Sequence, residues 1–357
     1  MIKNISVVTI AILIIFYCNY SSQNESVKIT NHLENSISVN ITMQISNNSE
    51  YIGVVKSAEY ASVPPQNISY IPSLSYSSAD SVAITGEGNV VFFSGKVSGD
   101  FNIINLKPDQ IYDFILYKKE KNSFKKIFEV SHTTLAEMPE RQAQKIMWSN
   151  QTHNSIDIYA RAGSGEKTLF TVSRSPNDFI PSNASEYTAN STFGQGFEPS
   201  SGVFVVYSGN DNEKSVKVSG LEPGTYYYVT SYEFNGKGKS THYNPQVTKL
   251  ANAARIATTL ETPKNVKVQK KAESQKGGSQ KIVVEWEKVK SASTYIIELA
   301  LDEDFVEPEE IYGTIDVGEL SAFEFDELEQ KRTYYIRIKS ANQYFESNYS
   351  EVFIVNL

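Results

Sequence analysis

The chain is poor in the residues on which most protein chemistry depends. Its 357 residues include one cysteine, four histidines and two tryptophans. The cysteine, Cys18, follows an apolar N-terminal run, so the body of the chain forms no disulfide and its cores are held by burial alone. Domains of about a hundred residues bury enough surface for that. The histidines His32, His132, His153 and His242 are scattered, never at a metal-ligand spacing such as i, i+4. No Gly-x-Ser-x-Gly elbow or comparable local signature supports a nucleophilic triad. The pairs Gly86/Gly88, Gly194/Gly196 and Gly236/Gly238 lack the further glycine and helix start of a phosphate loop, and read as turns. A surplus of positive charge is missing too. With 33 basic and 41 acidic residues the net charge is −8, which is no footprint for nucleic acid. No Arg-Gly-Asp occurs, which excludes integrin-type adhesion through that tripeptide. No cofactor or metal is expected.

Long apolar runs are also absent. The run from Ile5 to Phe16, after Lys3, holds about a dozen residues, short of a comfortable bilayer span and suited to a signal-peptide core. Residues 1–22 are therefore read as a signal peptide or an N-terminal anchor. Cys18 stands where a bacterial lipoprotein would be cleaved and acylated, although Tyr17 occupies the place where Gly, Ala or Ser is preferred. The other reading is a cysteine lost with the signal. The final strand ends with Leu357, without a sorting module or hydrophobic tail, so any anchoring is expected at the N-terminus. The protein is expected to be exported: secreted, periplasmic or held at the cell surface.

What the chain does have is tyrosine, phenylalanine and repetition. It contains 22 Tyr and 18 Phe, residues that suit half-buried pleated surfaces. One phrase occurs three times: Leu106 to Tyr112, Leu221 to Tyr227 and Leu328 to Tyr334. In each, the Tyr opens an alternating run: Tyr112, Phe114, Leu116; Tyr227, Val229, Ser231; Tyr334, Ile336, Ile338. A turn that delivers a Tyr to the start of a strand is the mark of a tyrosine corner, in which the hydroxyl bonds to upstream backbone and pins the crossing between two sheets. The copies lie about 110 residues apart, the length of one β-sandwich. Further pairs follow in order. Asn35-Ser-Ile-Ser-Val39 matches Asn154-Ser-Ile-Asp-Ile158, Ile71-Pro-Ser73 matches Ile180-Pro-Ser182, and Thr133-Thr-Leu135 matches Thr258-Thr-Leu260. The first two domains are drifted duplicates. Only Ala136 to Met147 shows a trace of helical periodicity, and it reads as a linker with at most two helical turns.

The third unit keeps a different subset. Ile282-Val-Val-Glu-Trp286 leads to Tyr295-Ile-Ile-Glu-Leu299, and after the Tyr334 strand come Ala341-Asn342 and Ser347-Asn-Tyr-Ser350. On these residues the chain resembles the fibronectin type III family. The third unit looks like an ordinary member, with Trp286 on strand B and Tyr295 on strand C. The first two resemble a longer variant of exported proteins in Bacteroidetes-type bacteria, with Tyr187-Thr-Ala-Asn-Ser-Thr-Phe193 before Val205-Val-Tyr-Ser-Gly209. They lack the strand-B Trp, a volume that Val39/Ile41 and Ile158/Tyr159 are expected to fill. The resemblance implies an all-β chain of three tandem antiparallel immunoglobulin-like sandwiches at residues 27–135, 141–258 and 262–357.

Function is expected in the loops at the sandwich ends. Tyr232, Phe234 and Asn235 in the second unit, and Tyr344 and Phe345 in the third, set aromatics beside polar groups, the composition of a protein or glycan contact surface. The bland alternative is that these rings close the sandwich ends. The first reading of function is thus a non-catalytic exported array that presents loops to a protein or glycan, or acts as a spacer or adhesion module. The second is a hydrolase-like or carbohydrate-active enzyme using the third-unit acids Asp302, Asp304 and Glu307. The lysines 118, 119, 121, 125 and 126 flank a hairpin, where they guard an edge against aggregation. The segment Asn210-Asp-Asn-Glu213 resembles part of a calcium loop but lacks its central Gly and closing Glu, and reads as a turn. The N-terminus gives a direct test. If Cys18 is acylated, Cys18→Ser releases the protein from the membrane fraction. If it is not, the mature chain begins shortly after Cys18 and is found free in medium or periplasm. Full-length cytosolic protein retaining Met1 would defeat the export reading.

Overall fold

The computed structural model describes residues 26–30, 38–45, 48–161, 163–210, 215–247, 252–272, 280–306, 309 and 312–357. The N-terminal run, Cys18, His32, the repeat start at residues 35–37, residues 211–213 and Glu307 lie outside them. Among the described residues, apart from single 3-10 turns at Ser81–Ala83 and Gly238–Ser240, the regular structure is strand. In the first sandwich β1 (Ser26–Thr30), β2 (Val39–Gln44), β3 (Tyr51–Ser57), β4 (Ile84–Gly86), β5 (Asn89–Gly95), β6 (Gly99–Ile103), β7 (Ile111–Glu120) and β8 (Ser123–Thr133) form the sheets β1-β2-β6 and β4-β5-β3-β7-β8. In the second, β9 (Lys145–Ser149), β10 (Ile156–Arg161), β11 (Lys167–Ser173), β12 (Val203–Gly209), β13 (Ser215–Val218), β14 (Tyr226–Asn235), β15 (His242–Tyr243) and β16 (Ala253–Ala257) form β13-β10-β9 and β12-β11-β14-β15, with β16 also on β14. In the third, β17 (Lys267–Ala272), β18 (Gln280–Glu285), β19 (Thr294–Ala300), β20 (Thr314–Asp316), β21 (Ala322–Leu328), β22 (Thr333–Ala341) and β23 (Phe353–Asn356) form β17-β18-β21 and β20-β19-β22-β23.

Lettered A to G, each sandwich sets an A-B-E sheet against a C′-C-F-G sheet, with the named strands paired antiparallel. This is the immunoglobulin-like sandwich of fibronectin type III type. The chain divides into two compact units: the described residues up to Met138 with Asn183–Ser185 and Gly236–His242, and Pro139–Ser182 with Glu186–Asn235 and Tyr243–Leu357. The second and third sandwiches thus share one unit.

The tyrosine corners are present in all three. Tyr112, Tyr227 and Tyr334 are buried, each the second residue of its F strand. Each hydroxyl accepts the backbone N–H of the residue after the corner Leu: Lys107 at 2.9 Å, Glu222 at 2.8 Å and Glu329 at 2.8 Å. The turn that reaches the Tyr passes through a left-handed residue three positions earlier, at Asp109 (φ 52°), Gly224 (φ 56°) and Lys331 (φ 63°). Their N–H groups bond to the chain leaving the G strand, at Leu135, Thr259 and Leu357. The Tyr hydroxyl and the last strand therefore hold the same turn from two sides.

The structure corrects the alignment of the repeats. Val39, Ile156 and Ile282 pair with Ile103, Val218 and Phe325, each three residues before a corner Leu, so these are the equivalent positions of strand B. Two residues further on, Ile41, Ile158 and Val284 correspond, and then Met43, Ala160 and Trp286. The place of the tryptophan is filled by buried Met43 and Ala160, not by Val39/Ile41 or Ile158/Tyr159. Tyr159 faces outward, as strand alternation from buried Ile158 requires. The closing Thr-Thr-Leu repeat slips by one. Thr134 and Thr258 match, each accepting a turn N–H, from Gln110 and Thr225, at 3.0 Å.

The linker after β8 holds no helix. Residues 134–144 are irregular, with bends at Glu140, Arg141 and Gln144, and Met147 lies in β9. Gln142 explains this: its amide donates to the carbonyls of Asn244 (2.6 Å) and Gln246 (2.9 Å) and accepts the Glu233 N–H at 2.8 Å, spending its side chain on tertiary partners.

The length of the first two sandwiches goes into a cover over their C′-C-F-G sheets. β3 is buried at all seven positions and β11 at six of seven, because the segment between C and C′ folds back over the outer face. In the first sandwich Tyr70 joins Ile52, Val54, Val91, Ile115 and Tyr117 in a second apolar layer. Asn89 ties the cover down, donating to the Ala61 carbonyl at 2.9 Å and accepting the Val63 N–H at 3.1 Å. In the second, Phe179, Tyr187 and Ala189 pack on Leu169, Val205, Tyr232, Phe234 and Tyr243. Both covers then lay an aromatic edge-on against the corner Tyr: Tyr76 on Tyr112 at 5.0 Å and Phe193 on Tyr227 at 5.1 Å. Among the described residues the third sandwich has no such cover, and its β19 and β22 alternate buried and half-buried.

Trp286 lies in the third core, its ring 5.3 Å from Tyr295, whose hydroxyl accepts the Val289 N–H at 2.6 Å. Trp286→Ala should cost about 3–5 kcal/mol, enough to unfold a small domain, read as loss of the third sandwich's melting transition. Tyr227→Phe removes one corner bond and should cost about 1 kcal/mol in denaturant titration. A pH effect is expected in the first unit. Burial, with Lys239 adding its charge, pulls the His132 pKa from 6.5 down to about 4. The neutral ring is the folded form, so this contribution is whole above about 6.5 and is lost as pH falls towards 4, because the unfolded chain takes up the proton first. Melting measured over that window should fall less steeply in His132→Gln.

Candidate functional site

The residues expected to meet a partner separate into two groups. Tyr232 and Phe234 are core, at 1% and 3% exposure. Tyr232 donates its hydroxyl to the Phe179 carbonyl, and Phe234 packs 4.8 Å from Tyr243. They alternate outward from the inner face of β14, where sequence order alone would expose them, but the cover encloses them. Asn235 accepts the Glu166 N–H at 2.8 Å and holds a neighbouring turn. This loop therefore offers its aromatic rings to the sandwich itself.

The loop of the third sandwich is different. Asn342 accepts the N–H groups of Tyr344 (2.9 Å) and Phe345 (2.8 Å), and its own N–H reaches the Phe345 carbonyl at 2.8 Å. This compact turn fixes both rings. Phe345 is carried onto Tyr226 of the second sandwich, centroids 4.9 Å apart, and Tyr344 flanks it at 6.3 Å. On β16, Arg255 sets its guanidinium 4.5 Å over the Tyr226 ring. The result is a row, Arg255–Tyr226–Phe345–Tyr344, drawn from two sandwiches within one compact unit. Tyr344 is 69% exposed and Tyr226 39%, and Arg255 is exposed as well.

Tyr226 and Arg255 are the members that sequence reasoning missed. In the run Tyr226-Tyr-Tyr228, strand alternation sends Tyr227 inward and its neighbours outward, so an exposed Tyr beside the corner was readable in principle. The position of Arg255 was not, because it depends on the register Tyr228↔Arg255 across two strands.

Among its described residues the acidic loop brings no acids together in a convergent site. Asp302 accepts the N–H groups of Asp304 (3.0 Å) and Val306 (3.1 Å) and so shapes its own turn. That turn delivers Phe305 to Arg337, whose guanidinium stands 3.9 Å from Phe305 and 4.2 Å from Tyr349. Glu298 completes the arrangement, accepting Arg337 Nε–H at 2.6 Å and the Tyr349 hydroxyl at 2.6 Å. Burial pushes the Tyr349 phenol well up, reinforced by its bond to the Glu298 carboxylate. Arginine stacked between rings and held by a carboxylate is a stabilising rack for an uncovered sheet face. Among the described residues no group of three or more His, Cys, Asp or Glu side chains is placed to hold a metal ion. His132 lies on β8, His153 Nε2 stands 4.0 Å from Glu261, and His242 Nδ1 is 2.8 Å from the Ala136 carbonyl, with no shared centre.

No protein-family model matches the chain, and no curated protein does. Among solved structures it is similar to the FN1–FN3 domains of chicken CNTN1, at 15% identity over 93% of this chain and 97% of that chain, with a TM-score of 0.26. A two-domain fibronectin type III segment of chicken tenascin is similar at 14% identity over 61% of this chain and 100% of that one, with a TM-score of 0.32. The fibronectin type III character of the fold is carried by the strand order and by the three corner bonds.

Proposed function

We propose that the protein is an exported, non-catalytic binding array whose contact surface for a cell-surface protein or glycan is the row Arg255–Tyr226–Phe345–Tyr344. The observation that carries this reading is Tyr344, a large ring 69% exposed at the end of an ordered aromatic row. Rigid aromatics and arginine supply most of the energy at contact surfaces, because they bury much area for little lost freedom. Stacking on Tyr226 uses the face of the Arg255 guanidinium and leaves its in-plane N–H groups to meet an acceptor. Of the acids of the hydrolase reading, Asp302 accepts the N–H groups of its own turn, and Glu307 lies outside the described residues. The export half of the reading rests on the run Ile5–Phe16.

The test is binding of the mature protein to intact cells of its source and to a glycan array. Tyr344→Ala and Arg255→Ala should each weaken binding at least tenfold, about 1.4 kcal/mol, while the melting temperature stays unchanged. Full binding retained by both variants would sink the assignment of this surface.

A further inference from the structure

We infer that the third sandwich's F–G loop, Asn342 to Ser347, is a clamp that locks the second and third sandwiches into one body, and that the aromatic row exists only while this clamp is closed. The lock itself is independent of the proposed function; only the use made of the row rests on that reading.

Tandem sandwiches joined by a short linker are expected to move against each other unless something holds the joint. Here consecutive linker residues bond to opposite sandwiches. Thr259 N–H donates to the Thr152 carbonyl in the second, and Leu260 N–H donates to the Glu346 carbonyl in the third, both at 3.1 Å. The next two residues are held from the third sandwich as well. Ser340 Oγ donates to the Glu261 carbonyl at 2.7 Å, and Thr262 Oγ1 to the Asn348 carbonyl at 3.1 Å. Pro263 follows, which fixes its own φ and keeps Thr262 extended. The linker thus has little torsional freedom left.

The apolar contacts close the same joint. Leu260 is buried at 1% exposure beneath Gly224 and the loop. A Cβ on Gly224 would stand 2.8 Å from Leu260 Cδ2 and 3.4 Å from Phe345, so the absence of a side chain there is what lets the two sandwiches approach. Phe345 then covers the seam by stacking on Tyr226. Loops at this position in a free sandwich end would be open to solvent. This one is spent on the joint through Phe345 and the Glu346 carbonyl, while the side chains of Gln343, Tyr344 and Glu346 remain outward. The arrangement recurs. Within the first compact unit, Ala136 N–H, one residue after the match of Thr259, donates to the Ser240 carbonyl at 2.8 Å, and His242 Nδ1 lies 2.8 Å from the Ala136 carbonyl. A bond from linker N–H to an F–G loop carbonyl is therefore a repeated device.

The experiment uses the full chain with Cys18→Ser and spin labels attached at Lys217→Cys and Glu319→Cys, exposed sites on the second and third sandwiches. Pulsed electron–electron resonance should give one narrow distance distribution in this parent. Phe345→Ala should broaden it, and Thr262→Ala, a change at an exposed hydroxyl that leaves both cores intact, should broaden it less. Tyr344→Ala, which loses the exposed ring but not the clamp, should leave it narrow. A broad distribution in the parent overturns the lock, as does a distribution unmoved by both clamp variants. Because no partner is present, a failed binding assay with Tyr344→Ala and a failed lock are separate outcomes.

Discussion

Everything in this fold is organised around one hydrogen bond made three times, from a backbone N–H to a buried tyrosine hydroxyl. The bond ties the crossing between the two sheets to the first turn of the F strand, and the departing G strand bonds to the same turn. That fixes where the F strand starts, and with it which residues of β7, β14 and β22 face inward. A buried phenol is costly to leave without a partner, so the register is enforced rather than merely preferred. With no cysteine in the body of the chain, these corners supply the cross-sheet fastening that related sandwiches obtain from a disulfide.

Around that shared frame the three sandwiches solve the exposed sheet face differently. The first two cover it with an inserted segment and gain a second apolar layer. The third leaves it open and stabilises it with charge and stacking, Arg337 between Phe305 and Tyr349 over Glu298. The consequence shows in the strands: β3 and β11 are buried on both faces, polar residues such as Lys56 and Thr168 included, whereas β19 and β22 alternate. The difference in length between the units is thus a difference in how many faces of one sheet are dry.

The corners were legible because the Leu-to-Tyr phrase is local, a spacing within one turn. Trp286 with Tyr295 was legible for a related reason, since two strands and a short polar loop lie next to each other in sequence. The substitutes for that tryptophan in the first two units were not. Alignment by matching tripeptides put Val39 opposite Ile158, while the cross-strand partners show a shift of two, a slip that preserves the inward face and so leaves no trace in the apolar pattern. Which of the two readings holds for Tyr232 and Phe234, partner contact or closing the sandwich, was not legible for a different reason. Their burial depends on a cover about fifty residues earlier in the chain, and no local signal shows a segment lying over a sheet. Of the contact row, Tyr344 and Phe345 were readable as loop aromatics, but Tyr226 and Arg255 join them only through the joint.

The clamp has a bearing on how such arrays change. A linker here is held by the loop of the sandwich that follows it, so linker and downstream sandwich form the inheritable piece. A duplication or exchange cut at the start of the linker would carry a complete joint with it. One cut just after Pro263 would leave a linker with no loop shaped to receive it, and a hinge in place of a fixed angle.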